Sequence, residues 1–151
     1  MPGLSSDGAI AIWIYTADSP LYEQLNDALR RSAREYLKRY FFPFLRLLLE
    51  ALAAVKRSEG TEKRMLNRGV PLNLVQLHPD DYEEDATIVW WQFSSCTLKI
   101  RVLSNPLFLG ASGPRTIFQI LTSRGVDIRR FSAMQEEASE AERCSCRRGA
   151  P

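Results

Sequence analysis

The sequence predicts an α+β fold, helical in its first third and richer in strands after that, and three observations predict it. An apolar stripe at helical spacing follows Ser19-Pro20, and a second follows Pro43. Further on, Ile88-Val89-Trp90-Trp91-Gln92-Phe93-Ser94-Ser95-Cys96-Thr97 runs through β-branched and aromatic residues and then turns small and polar. With 151 residues, 45% hydrophobic and 25% charged, the chain has room for one domain with a real core and lacks the composition of a disordered one.

Taken in order, the apolar run Ala9 to Tyr15 reads as a first strand or extended segment. Ser19 is placed to cap a helix and Pro20 to occupy its first position, where the missing N–H costs nothing. Leu21, Leu25, Leu29 and Ala33, joined by Tyr22, Tyr36 and Leu37, hold one face of it, while Glu23, Asp27, Arg31, Arg34 and Lys38 hold the other. Pro43 ends that run and starts a second helix to about Val55, with Phe44, Leu48, Leu52 and Val55 on one stripe. Because its first turns are apolar nearly all round, it is expected to be the more deeply buried.

Lys56 to Glu62, with Gly60, marks a loop, and Lys63 to Val70 a short strand ending in Asn67-Arg68-Gly69-Val70. Pro71 to Asp85 is acidic at its end and is expected to cross the surface. In the Trp-Trp strand, alternation places Val89, Trp91, Phe93 and Ser95 on one face and Ile88, Trp90, Gln92 and Ser94 on the other. Both tryptophans are expected to fill the core. Leu98 to Val102 is a strand or short helix, Arg115 to Thr122 a strand, and Gly125 a turn. From Gln135 onward no hydrophobic period survives, which predicts a disordered tail.

Net charge of +2, with basic residues scattered among acids, excludes a nucleic-acid partner of the phosphate-backbone kind. Phe41 to Val55 is interrupted by Arg46 and Glu50 and is too short to span a bilayer, so no membrane partner is expected. The start, Met1 to Asp7, has no basic region of the secretory type, so the expected location is cytoplasmic. Cys96, Cys144 and Cys146 form no disulfide framework, and with His78 as the one histidine there is no zinc set and no metal is implied.

An arginine followed by glycine is by itself an ordinary surface pair. Here it precedes an aromatic-Ser-Ser-Cys-Thr strand and a glutamate-rich segment, and that order resembles the R-S-E pattern of arginine-type mono-ADP-ribosyltransferases. Ile14-Tyr15-Thr16, Pro20-Leu21-Tyr22 with Leu25-Asn26 and Leu29-Arg30, Gly113-Pro114-Arg115-Thr116-Ile117-Phe118 and Arg124-Gly125-Val126-Asp127-Ile128 resemble the same family, in the same order. The resemblance runs from about Tyr15 to about Glu137.

It implies a helical lobe over about 19–56 and a small two-sheet β-sandwich NAD-binding core over about 62–138. Together these make one domain, 1–138, truncated at its C-terminus and followed by a tail, 139–151. The implied reaction transfers ADP-ribose from NAD, a substrate here, to an arginine of an acceptor protein. Breaking the nicotinamide bond passes through a cationic sugar, which calls for a carboxylate near the ribose and donors for the pyrophosphate. By resemblance Arg68 grips the phosphate or ribose side, the Gly69 backbone meets the nicotinamide amide, Ser95 orients NAD and the catalytic glutamate, and Phe108 forms part of the nicotinamide wall. Arg68 and the Ser95 hydroxyl are expected to line one groove from neighbouring strands. The carboxylate is left between two alignments: Glu137 without a gap, or Glu140 and Glu142 with a small insertion. Two other classes stay open, an inactive module that binds NAD or protein, and a helical interaction domain using Phe44 to Val55.

Overall fold

Helix α4 (Phe42–Arg57) is the element on which the helical part is built, with Leu48, Ala51, Leu52, Ala54 and Val55 buried. Pro43 stands in its first turn, as expected. The computed structural model describes residues 3–31, 33–104 and 109–133, together with the backbone of Arg143–Cys146. Against α4 packs α1 (Ser6–Thr16), so the expected extended segment over Ala9 to Tyr15 is a helix instead. Seven consecutive apolar residues carry no period that could choose between the two, and the choice is made by the surface they meet. Ser5 caps α1 by accepting a hydrogen bond from the Gly8 N–H at 3.0 Å. Gly8, Ala11, Ile12 and Tyr15 then fall on one buried face. A Cβ on Gly8 would lie 3.1 Å from that of Ala51, so its bare backbone is what lets the two helices approach.

Helix α2 (Pro20–Arg30) starts at the predicted Ser19-Pro20 but stops well short of Pro43. After it come a single turn, α3 (Arg34–Tyr36), and a π-helical turn, Leu37–Phe41, that leads into α4. Its buried residues are Leu25, Asn26 and Ala28. The expected face of Leu21 and Leu29 is only partly buried. No helix among the described residues is long and apolar enough to cross a membrane.

The strands are β1 (Arg64–Val70), β2 (Ser94–Thr97), β3 (Thr116–Thr122), β4 (Gly125–Asp127) and β5 (Arg143–Cys146). Between them lie a one-turn helix, α5 (Leu74–Leu77), and 3-10 turns at Pro79–Tyr82, Ile100–Ser104 and Arg129–Phe131. All pairings are antiparallel, and the order is β3-β1-β2-β5-β4. Among the described residues this is one five-stranded sheet and not the two-sheet sandwich expected, because β5 lies between β2 and β4 and joins them edge to edge. Arg143–Cys146 falls within the stretch read as a tail; the rest of 139–151 lies outside the described residues.

The Trp-Trp strand is shorter than its sequence promised. Only Ser94–Thr97 pairs, while residues 86–93 run without a strand partner, and Val89 and Trp91 are 49% and 66% exposed. Strand propensity over 88–93 is not used, and at its end the Phe93 N–H goes to the Asn26 side chain and not to a strand. Gly125, expected in a turn, opens β4. The sheet also removes the purely helical alternative. Leu48, Leu52 and Val55 of the Leu-rich helix are core residues packed with Ile12, Phe93, Val126 and Ile128. Burying each such aliphatic side chain contributes roughly 1.5–3 kcal/mol.

Glu59, just after α4, fastens the helices to the sheet: it accepts the Asp127 N–H at 2.6 Å and pairs with Arg64 at 2.9 Å and Lys56 at 3.3 Å. Asp127 in turn holds Arg129 through its carboxylate. Partial burial pushes the Asp127 carboxyl up, but the hydrogen bonds and charge of Arg129 outweigh this and hold it below the ordinary carboxylate value. A carboxyl depressed in the folded state contributes stability that is present above its unfolded value, about 4, and is lost as pH falls through the folded one. Thermal melts are therefore expected to show stability falling below about pH 4, with a shallower fall in Asp127→Asn. Identical slopes in the two proteins would remove Asp127 from the acid response.

Candidate active site

β1 is placed by its seven-residue register with β3, in which Arg68 faces Phe118 and Gly69 faces Ile117. On its other side it meets β2 at Asn67–Thr97. The buried Asn67 amide locks that junction, donating to the carbonyls of Thr97 (3.3 Å) and Leu98 (3.2 Å) and accepting from Gln119 at 3.4 Å. Arg68 and Gly69 thus follow directly on a fixed point of the backbone.

Leu66 packs with Cys96, so Leu66, Arg68 and Cys96 share one face of the sheet. Asn67 and Thr97 are cross-strand partners, and Gly69 and Ser95 fall on their face. Arg68 and Ser95 do come from neighbouring strands, but alternation sends the Ser95 hydroxyl to the face opposite the Arg68 stem. The two residues meet through the Ser95 carbonyl, to which Arg68 Nη1 donates at 3.4 Å in the seam between the strands. The shared groove expected for guanidinium and hydroxyl is corrected to that extent, because a period of two separates residues whose positions differ by an odd number of steps. Ser95 is exposed, and the neighbouring Ser94 Oγ is buried with no hydrogen-bond partner among the described residues. Gly69 leaves room for Leu109, whose Cδ2 would lie 2.8 Å from a Cβ there.

Around the Arg68 guanidinium stand aromatic rings. Its carbon lies 5.6 Å from the centre of the Trp90 ring, which meets Phe118 edge to face at 4.9 Å. Tyr82 lies 5.8 Å beyond Phe118. Trp90 is thus half-buried beside the arginine and Trp91 exposed, and neither is the core filler expected, since residues 88–93 are not covered by a second sheet. Among the described residues no carboxylate pairs with Arg68.

The approach to β2 is held from the helices. Asn26, 3% exposed, donates through Nδ2 to the Tyr15 hydroxyl at 3.1 Å and accepts the Phe93 N–H at 3.1 Å. Tyr15 also stacks edge-on with Phe93 at 5.3 Å and Tyr22 at 5.7 Å. Burial raises the Tyr15 hydroxyl well above the ordinary tyrosine value, against the opposing pull of Asn26. Arg30 adds an exposed bond to the Gln92 side chain at 2.8 Å. Asn26, Trp90 and Phe118 have no site role in the sequence reading. The one signal that could have found Asn26 is an amide set among Leu25 and Ala28 on a buried helix face. Glu137, Glu140, Glu142 and Phe108 lie outside the described residues. No group of three or more His, Cys, Asp or Glu side chains suited to a metal occurs among the described residues.

This arrangement of helices and sheet is that of known ADP-ribosyltransferase structures. The eucaryotic mono-ADP-ribosyltransferase ART2.2, also solved as a variant in complex with NAD, superposes with a TM-score of 0.71 at 22% identity, over 96% of this chain and 57% of that one. HopU1 of Pseudomonas syringae pv. Tomato DC3000 does so with a TM-score of 0.69 at 21% identity, over 92% of this chain and 65% of that one. The model of the NAD:arginine ADP-ribosyltransferase family matches residues 1–140, and the chain belongs to that family. The GPI-linked NAD(P)(+)–arginine ADP-ribosyltransferase 1 of Mus musculus is 32% identical over 140 residues, which make up 90% of this chain and 40% of the mouse protein. The chain therefore spans less than half the length of that curated relative.

Proposed function

We propose that the chain carries the dinucleotide-binding part of a mono-ADP-ribosyltransferase that moves ADP-ribose from NAD to an arginine of an acceptor protein, releasing nicotinamide. The observation that carries this reading is Arg68: a half-buried residue whose guanidinium meets a backbone carbonyl and an indole ring and has no carboxylate partner among the described residues. A planar fork of donors in that state suits a pyrophosphate, which can take two N–H bonds at once. Exposed Ser95 meets Arg68 through its carbonyl, and its hydroxyl, on the Gly69 side of the strand, is free to bond the ribose or the carboxylate that stabilises the developing sugar cation. Gly69 supplies backbone close to the same place, and Phe108 remains our assignment for the nicotinamide wall. The family and the mouse relative's name support arginine as acceptor. The cytoplasmic expectation is separate from this reading, and the mouse relative is by name GPI-linked.

The test is release of labelled nicotinamide from NAD, with and without an arginine-bearing acceptor, together with transfer of labelled ADP-ribose to it. Release with transfer is the expected result. NAD binding without release would make the chain a binding module, and no binding would overturn the reading. Glu→Gln changes then assign the carboxylate: loss of release on changing Glu140 and Glu142 together is expected, whereas loss on changing Glu137 alone would select the ungapped alignment.

A further inference from the structure

Trp90 has no part in the reaction outlined above, yet its ring lies beside Arg68, the residue assigned to the pyrophosphate. Its ring centre, 5.6 Å from the Arg68 guanidinium carbon, is within the range in which an indole face attracts a cation. The ring is itself held: Phe118, the cross-strand partner of Arg68, meets it at 4.9 Å, and Tyr82 backs Phe118 at 5.8 Å. The Ser95 carbonyl takes one N–H of the same guanidinium at 3.4 Å.

We propose that Trp90 is a positioning residue for Arg68, holding the guanidinium by its indole face while the Ser95 carbonyl takes one N–H, so that its other donors are already aimed at the pyrophosphate of NAD. The inference rests on the dinucleotide reading of the site. Its physical reason is entropy. A long arginine side chain loses rotamer freedom when it grips a ligand, and a stack that has already removed this freedom spares the binding step that cost. A second consequence is electrostatic, since a face of π electrons orients the cation without neutralising it as a carboxylate would.

The experiment is a double-mutant cycle on NAD affinity, measured by calorimetry on the chain, Trp90→Leu, Arg68→Ala and the double variant, with Trp90→Phe as the conservative control. Trp90→Leu is expected to weaken NAD about tenfold, Trp90→Phe to recover most of that, and Trp90→Leu to change affinity less than about twofold once Arg68 is alanine. Equal losses in both backgrounds would overturn the inference while leaving the dinucleotide site intact. A chain that binds no NAD at all would overturn both. Should Trp90→Leu fail to fold, ring-current shifts of the Arg68 side-chain protons decide the matter without it. They are expected upfield in the ligand-free chain and reduced in Trp90→Phe, and unshifted Arg68 protons would sink the idea.

Discussion

Arg68→Ala is expected to weaken NAD binding by about ten- to a hundredfold, the range that losing a charge-assisted hydrogen bond to phosphate implies. The loss falls on binding because the side chain's contacts within the protein are weak, its stack on Trp90 contributing about 0.5–1 kcal/mol. Its bond to Ser95 is long at 3.4 Å, and it joins no ion pair among the described residues. Folding stability should therefore change by less than about 1 kcal/mol. Arg68→Lys keeps the charge and loses the fork, so it should recover only part of the affinity. The pattern that supports the site is a large change in NAD affinity with an unchanged urea midpoint. An alanine variant that binds NAD as the parent does would place the dinucleotide elsewhere.

Replacing Asn26 by leucine should have the largest effect on folding, about 2–4 kcal/mol, read as a lower urea midpoint. The amide is buried and joins three parts of the chain: Tyr15 of α1, its own helix α2, and the backbone of Phe93 just before β2. Leucine keeps its branched shape but leaves the Phe93 N–H without an acceptor inside the protein and the Tyr15 hydroxyl without its donor. Since Phe93 leads directly into Ser94 and Ser95, the same change should also weaken NAD binding in protein that is still folded. A stability within about 0.5 kcal/mol of the parent would show that water replaces the amide, and that the hub is not needed.

Several features of this molecule are legible in local sequence. Ser19-Pro20 and Pro43 mark true helix starts, Lys63 to Val70 and Arg115 to Thr122 are strands within a residue or so, and the motif order from Arg68 to Thr97 identifies the family. Each of these depends on neighbours in the chain: a proline's fixed φ, a run of β-branched residues, a spacing. The misreadings have a common origin in partners far away in sequence. Ala9 to Tyr15 is helical because α4 offers it a surface; Phe93 stays out of the sheet where Asn26 takes its N–H; and Arg143–Cys146, with no hydrophobic period of its own, is a strand because β2 and β4 flank it.

The amino-acid order alone determined where the helices after Ser19-Pro20 and at Pro43 begin, which two strands carry Arg68 and Ser95, and which chemistry those residue types can serve. Tertiary structure alone decided that the Arg68 guanidinium meets a carbonyl of Ser95 and not its hydroxyl, that Trp90 stacks against it, and that a helix amide anchors the entry to β2. Propensity and motif chemistry act over a few bonds and can be read along the chain, whereas the side of a strand a ring covers is settled only when segments tens of residues apart are brought into contact.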